Sequence, residues 1–252
     1  MKKVIALLLI IGIGAFIFIA LYFTDNGPLT FKAYGDVDVN ERVAQAYIDK
    51  NVRGDNGPVI FGVSTDQETG SANMVTSIVV DYRSFDTLGE VIVLFVSTLG
   101  VGLLLGGKRK RQVFTAAPNF ILKHGARLVF GIMLIFGIYM FTHGHLTPGG
   151  GFPGGSILAS AVLLLYLADN DFRTRLAAFK IAEGIAGSLY VIIGLLGLAL
   201  GGYFLYNFLP TGTVGALLSA GVIPIVYVLI GLKVGSEISG AIDSFATEEV
   251  AV

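Results

Sequence analysis

The stretch His143-Gly144-His145-Leu146-Thr147-Pro148-Gly149-Gly150-Gly151-Phe152-Pro153-Gly154-Gly155 decides how the chain folds, because it separates two apolar runs. Six glycines and two prolines in this short space cannot continue a helix, so the backbone must turn and release its N–H groups. At membrane depth such groups are tolerated only against protein or a water-filled cavity. Two readings stay open. One is a tight interhelical turn whose histidines, His143 and His145, lie at the lipid headgroups. The other is a half-buried, hydrated turn beside a proton or ion path, where histidine changes charge near neutral pH.

Composition places the turn in a membrane protein. The 252 residues are 54% hydrophobic and 14% charged, with a mean hydropathy of +0.77, which belongs to the polytopic membrane class. The net charge of −1, with no basic run interleaved with aromatics, argues against nucleic acid. Cysteine is absent, so this chain builds neither an iron–sulfur cluster nor a disulfide, and redox chemistry in its complex must reside on another chain. Tryptophan is absent too, which leaves tyrosine to form the interfacial belt.

Working outward, an all-α architecture of about six transmembrane helices is expected. Lys2-Lys3 precedes an apolar run at 4–23, long enough for a hydrocarbon core of ~30 Å and lacking a small-x-small cleavage site, so it reads as an uncleaved anchor. Residues 24–72 form a polar external insert with turn signals at 26–28 and 56–58. Within it a short helix capped by Asn40 is expected over 39–48, and a strand over 58–63. Residues 73–83 are apolar with a polar stripe and too short to span, which suits an interfacial helix.

Asp86 caps a second span reaching about 107, and further spans are expected at about 127–142 (extended by 120–122), 155–168, 181–204 and 214–238. Pro224 would kink the last of them. Twelve of the 17 Lys and Arg residues lie at the N-terminus, in the 108–127 and 169–180 connections, or on the C-terminal side. The alternate loops at 143–153 and 207–213 carry none, which puts both termini in the cytoplasm.

Few charges lie within the spans. Asp86 and Glu90 share a helical face at i, i+4, where like charges push one carboxyl up, as a proton or sodium carrier needs. Asp86 also serves simply as a cap, whereas Glu90 lies one turn into apolar sequence and must face protein or water. Lys233 and Glu237 form an i, i+4 pair that reads first as an ordinary ion pair where the last helix meets cytoplasmic water. Asp81 and Arg83 are expected to satisfy each other or a partner chain. Glycine pairs 102/106, 197/201 and 231/235 have the spacing of close helix approach. His143-x-His145 is too little for a metal site, and no phosphate loop or nucleophile elbow occurs, so a membrane enzyme is a weak reading.

Two stretches resemble parts of the multisubunit Mrp-type Na⁺/H⁺ antiporter. The turn from Gly144 through Pro148, Gly149, Gly150, Gly151 and Phe152 to Gly154-Gly155 resembles the signature of its MnhB family of subunits. Asn73, Val80-Asp81-Tyr82-Arg83 and Phe85-Asp86-Thr87-Leu88-Gly89-Glu90 resemble the C-terminal end of the large antiporter subunit. In membrane-bound hydrogenases and related complexes that piece is a small separate chain. Thr76 departs from the pattern, which usually has a second asparagine there.

The resemblance divides the chain at 1–107 and 108–252, with a four-helix MnhB-like unit in the second part. It implies a non-enzymatic membrane subunit of a cation/proton antiporter, stand-alone or driven by a hydrogenase-like redox module. Other Mrp-type subunits would be its partners, and a prokaryotic cell membrane its location. It implies no bound cofactor, with Na⁺ and H⁺ as the transported ions. Glu90, Asp86 and Asp81 would lie on or near the ion path, His145 at a gate or contact with a partner chain, with Lys233 and Glu237 as further candidates. The competing reading is a purely structural subunit that packs and seals its neighbours.

Overall fold

The computed structural model describes residues 2–22, 43–53, 59–105, 109–111, 119–169, 172, 176–245 and 247–249. In chain order these form α1 (Lys2–Tyr22), α2 (Val43–Arg53), α3 (Met74–Thr76), a π-helical turn (Ser77–Tyr82), α4 (Ser84–Leu104), β1 (Arg109–Arg111), α5 (Phe120–Thr142), α6 (Gly151–Ala168), α7 (Leu176–Gly201), α8 (Ile223–Phe245) and β2 (Thr247–Glu249). Helices α4 to α8 are long and apolar enough to cross a bilayer, and α1 matches α4 at 21 residues. The chain is a helical, multi-pass membrane protein. It forms two compact units, Met1–Ala46 and Tyr47–Val252. The segment resembling the large antiporter subunit, from Asn73 to Glu90, belongs to the same compact unit as α5 to α8.

Helix α8 is the axis of the second unit. It packs against α4, α5, α6 and α7, and 61% of its apolar window is buried, against 17% for α4 and α5. Its Val226, Tyr227, Ile230 and Val234 join Leu88 and Val91 of α4 and Tyr190 of α7 in one core. The outer faces of α4, α5 and α7 stay apolar and exposed, as suits lipid or partner helices.

Small residues let the backbones close. A Cβ at Gly155 would lie 2.7 Å from the Gly231 carbonyl oxygen, and one at Gly231 would lie 2.4 Å from the Phe141 ring. The 231/235 pair thus serves helix packing as expected. Gly197 and Gly201 instead receive Tyr206 of the following connection, and Gly102 touches nothing within 4 Å of its missing Cβ.

Loop pairings fix which ends share a side. β1 pairs antiparallel with β2, Arg109 opposite Glu249, so the connection after α4 lies beside the end of α8. At the other end Thr65 bridges Thr213, and the Asn73 amide donates to the His145 carbonyl at 3.0 Å. These pairings agree with the alternation of basic and uncharged loops.

Several boundaries differ from expectation. α6 begins at Gly151, inside the glycine stretch, and Pro153 is its third residue, where a missing N–H costs nothing. α7 starts at Leu176 and stops at Gly201, where Gly202 takes φ +83° as a left-handed terminator. α8 starts at Ile223, because Gly212, Gly215 and Gly221 all hold positive φ and break the apolar run. Pro224 is then its second residue and makes no kink.

Residues 59–63 form a turn, not a strand, with the Ser64 amide donating to the Ile60 carbonyl at 2.9 Å. Met74–Tyr82 is helical, as the interfacial reading requires. α2 covers most of the helix expected at 39–48. Its expected cap Asn40, both turn signals of the insert, Gly106, Lys108, Arg173 and Arg175 lie outside the described residues.

Close approach at Gly155 and Gly231 makes a stability prediction. Gly155→Ala or Gly231→Ala should destabilise the protein by about 1–3 kcal/mol through overpacking, while Gly102→Ala should change little. Thermal denaturation of the purified complex, followed by loss of this chain, checks the contrast.

Candidate functional site

The glycine turn is caged by the segment ahead of α4. Gly144 offers its carbonyl to Asn73 Nδ2 and to Thr76 Oγ1, each at 2.8 Å. Asn73 Nδ2 also reaches the Thr147 carbonyl at 3.0 Å, and Ser71 Oγ donates to the His145 carbonyl at 2.8 Å. Thr76 is shared with Tyr227 of α8 through a 2.8 Å hydroxyl contact. So the residue that departs from the family pattern still serves the turn, joining it to α8. Asn73 also starts α3, where its Oδ1 accepts from the Val75 amide.

Glycine is required in this cage at Gly150, which holds φ +141° with the Tyr227 ring 3.2 Å from its missing Cβ. At Gly151 a Cβ would lie 2.5 Å from Ile230, and at Gly154 2.8 Å from the Gly137 carbonyl oxygen. Phe152 packs against the core beside them, while Pro148 is exposed.

The two histidines divide. His143 is half-exposed, stacked on Tyr139 and within 3.0 Å of Thr142 Oγ1, which fits a headgroup position. His145 is fully buried, with neither ring nitrogen hydrogen-bonded. The reading of two surface histidines therefore fails for His145. Burial holds its imidazole below the ordinary value of 6.5, with the backbone at Ala216 and Leu217 partly offsetting that effect.

Below the turn lie the acidic candidates. Asp81, half-buried at the end of the π-helical turn, lines a small cavity with Tyr190 and Asn207. Asp86 does not cap α4; it is exposed in the first turn and pairs with Arg83. The expected Asp81–Arg83 pairing is thus replaced by one within the helix start. Glu90 shares the face of Asp86 but is exposed on this chain's surface, not enclosed by it. Six residues into α4, it lies roughly 9 Å from the helix start. A charge there costs about 2.5–3.5 kcal/mol against lipid near a helix centre, so its face belongs against a partner chain or water. Tyr190 is the nearby buried phenol and donates to the Ser84 carbonyl at 3.3 Å.

Lys233 and Glu237 do form the i, i+4 ion pair, but not at the water-facing end of α8. The helix continues two turns to Phe245, and the Glu237 side chain is fully buried. The Lys233 stem lies against Gly187 of α7, and its ammonium sits 4.9 Å from the Phe95 ring centre. α4, α7 and α8 therefore converge on this pair.

Sequence reading missed a second buried charge. Asp169, at the end of α6, accepts from Lys123 at 2.8 Å and Arg127 at 2.7 Å. Its signal is an acidic residue closing an apolar helix, opposite two basic residues at i, i+4 on α5. Among the described residues, no group of three or more His, Asp or Glu side chains is placed to hold a metal ion.

A five-span core whose charges are paired or turned outward, and whose spanning faces stay apolar, defines a membrane protein built to sit among partner chains. Known proteins agree. Residues 121–240 match the domain related to the MnhB subunit of Na⁺/H⁺ antiporters, and residues 41–119 match the MbhE subunit of MBH. A chain of the membrane-bound sulfane sulfur reductase, an archaeal respiratory membrane complex, is 42% identical over 98% of this chain and 99% of its own, with a TM-score of 0.72.

An uncharacterized protein of Methanocaldococcus jannaschii is 30% identical over 71% of this chain and 79% of its own length. A Staphylococcus aureus protein named putative antiporter subunit mnhB2 is 50% identical over 86 residues, and this chain spans 61% of its length. A chain of the Mrp complex from Dietzia sp. DQ12-45-1b shares the fold at TM-score 0.65 and 22% identity, and this chain covers 26% of it. The chain belongs to the MnhB-related family of membrane-complex subunits, in the form that carries an MbhE segment ahead of the MnhB domain.

The buried imidazole makes a pH prediction. Its folded value lies below 6.5, so the unfolded chain takes up a proton that the folded one refuses. Stability is full above 6.5 and falls as pH drops through that value. The melting temperature of the complex should fall between about pH 7.5 and about pH 5.5, and less steeply in His145→Gln. An identical slope in both proteins would contradict this.

Proposed function

We propose that this chain is an ion-path subunit of a cation/proton antiport module that exchanges Na⁺ for H⁺. Ionisable side chains occur at successive depths of α4 and α8, and this observation carries the reading. Counting at 1.5 Å per residue from the outer helix ends, Glu90 lies about 9 Å in, Lys233 about 15 Å and Glu237 about 21 Å. Such groups are costly in a bilayer and persist where they serve transport or pair with neighbours. Glu90 would exchange ions with a partner chain across the exposed face of α4, and Asp81 and Asp86 would shape the approach from outside. The buried His145 would hold the turn at the outer end.

The chain performs no redox chemistry in this reading, since it carries no cysteine. A redox-driven complex of a prokaryotic cell membrane is favoured over a stand-alone antiporter. The matching chain of the archaeal respiratory complex corresponds to this one end to end, whereas the Dietzia chain is about four times longer. A purely structural role is the alternative, and the locally satisfied Arg83–Asp86 and Lys123/Arg127–Asp169 groups favour it.

Glu90→Gln separates the two, because it keeps shape and hydrogen bonding while removing titration. In vesicles carrying the intact complex, Na⁺-dependent proton movement should fall to the level of protein-free vesicles with all chains still assembled. Unchanged transport, or lost assembly, would favour the structural role.

A further inference from the structure

Gly102, Gly184 and Gly240, in the inner half of the second unit, do not pack. A Cβ added at Gly102, Gly184 or Gly240 would meet nothing within 4 Å, unlike one at Gly155 or Gly231. All three line one cavity of about 640 Å³ between α4, α7 and α8. Small residues here keep space open instead of closing helices together.

The wall of that space is charged. Lys180 and Glu183 of α7 and Glu237 of α8 line it. Glu237 Oε1 accepts from Lys233 Nζ, while Oε2 is buried without a hydrogen-bond partner. A buried carboxylate oxygen left in that state calls for a donor or a cation. Glu183 lines the same space as Glu237, and two carboxylates on one wall favour a cation beside them. Lys180, exposed in the first turns of α7, stands at the inner mouth. Lys180 and Lys233 match Glu183 and Glu237 in number, so the space carries no excess negative charge for a divalent cation, and Glu183 is the carboxylate left to balance a monovalent one.

We infer that this cavity is a water-filled vestibule open to the inner face, holding one partly hydrated monovalent cation beside Glu183, at the wall behind which the unpartnered Oε2 of Glu237 lies. The Lys233 ammonium is the competing counter-ion for Glu237, and Gly187 leaves its stem room to move. The inference rests on the antiport reading and adds the place where the ion meets the inner solution.

The chain has no cysteine, so Gly184→Cys and Gly240→Cys introduce unique thiols on this chain at positions with room for a side chain. Inside-out vesicles bearing the intact complex are treated with a charged, membrane-impermeant methanethiosulfonate, and labelling of this chain is read by peptide mass. Both positions should label. Replacing choline by Na⁺ at about ten times its Kd should slow labelling about tenfold, by mass action. Adding Glu183→Gln should abolish that protection while labelling continues.

No labelling at either position would mean that lipid or a partner helix fills the space, and would overturn the proposal. Equal rates in choline and Na⁺ would overturn it as well. Transport in the cysteine variants is measured alongside. A complex that still exchanges Na⁺ for H⁺ but fails the labelling test loses the vestibule and keeps its function. One with no exchange in the unmodified protein loses the antiport reading itself.

Discussion

The fold depends on finding donors for the carbonyls of a glycine turn. A backbone that reverses between two membrane helices exposes acceptors that lipid cannot satisfy. Ser71, Asn73 and Thr76 supply donors to Gly144, His145 and Thr147. They come from the segment that matches MbhE, whereas the turn belongs to the MnhB-related part. The two parts of the chain are thus joined by hydrogen bonds that each needs, and this explains why they form one compact unit from Tyr47 onward.

The same interlock positions α4. Thr76 ties the turn to Tyr227 on α8, and the chain then passes through the π-helical turn, whose Val79 carbonyl accepts from Thr87 on α4. π-helical geometry widens the backbone and is frequent at functional sites. Here it delivers Asp81, Asp86 and Glu90 to the outer end of the α4–α7–α8 group. α8 can serve as the shared axis because Gly231 and Gly235 admit α5 and α6 on one side. Lys233 and Glu237 remain available to α4 and α7 on the other.

Much of this was legible in the sequence. The apolar runs gave α4 to α8 because each is longer than a soluble helix needs, and the basic loops gave their direction. What sequence reading missed has specific causes. Apolar composition says nothing about φ, so the run from Val214 looked helical although Gly215 and Gly221 hold positive φ. The glycine stretch was read wholly as a turn, but a helix start leaves its first N–H groups free, so Gly151–Pro153 can begin α6. Glu90 was expected to face protein or water, and helical periodicity shows only that Asp86 and Glu90 share a face. Which neighbour covers that face is written in another chain. Thr76 drew notice as a departure, but its bridge to Tyr227, 151 residues away, has no local signature.

The segment at 71–76 and the turn at 143–150 therefore form a single cooperative structure. Hydrogen–deuterium exchange of the intact complex, comparing wild type with Asn73→Ala, tests this most directly. Faster exchange is expected in both segments, including the amides around Gly144 and Thr147, which carry no substitution. Faster exchange confined to residues near Asn73, with the turn unaffected, would contradict it.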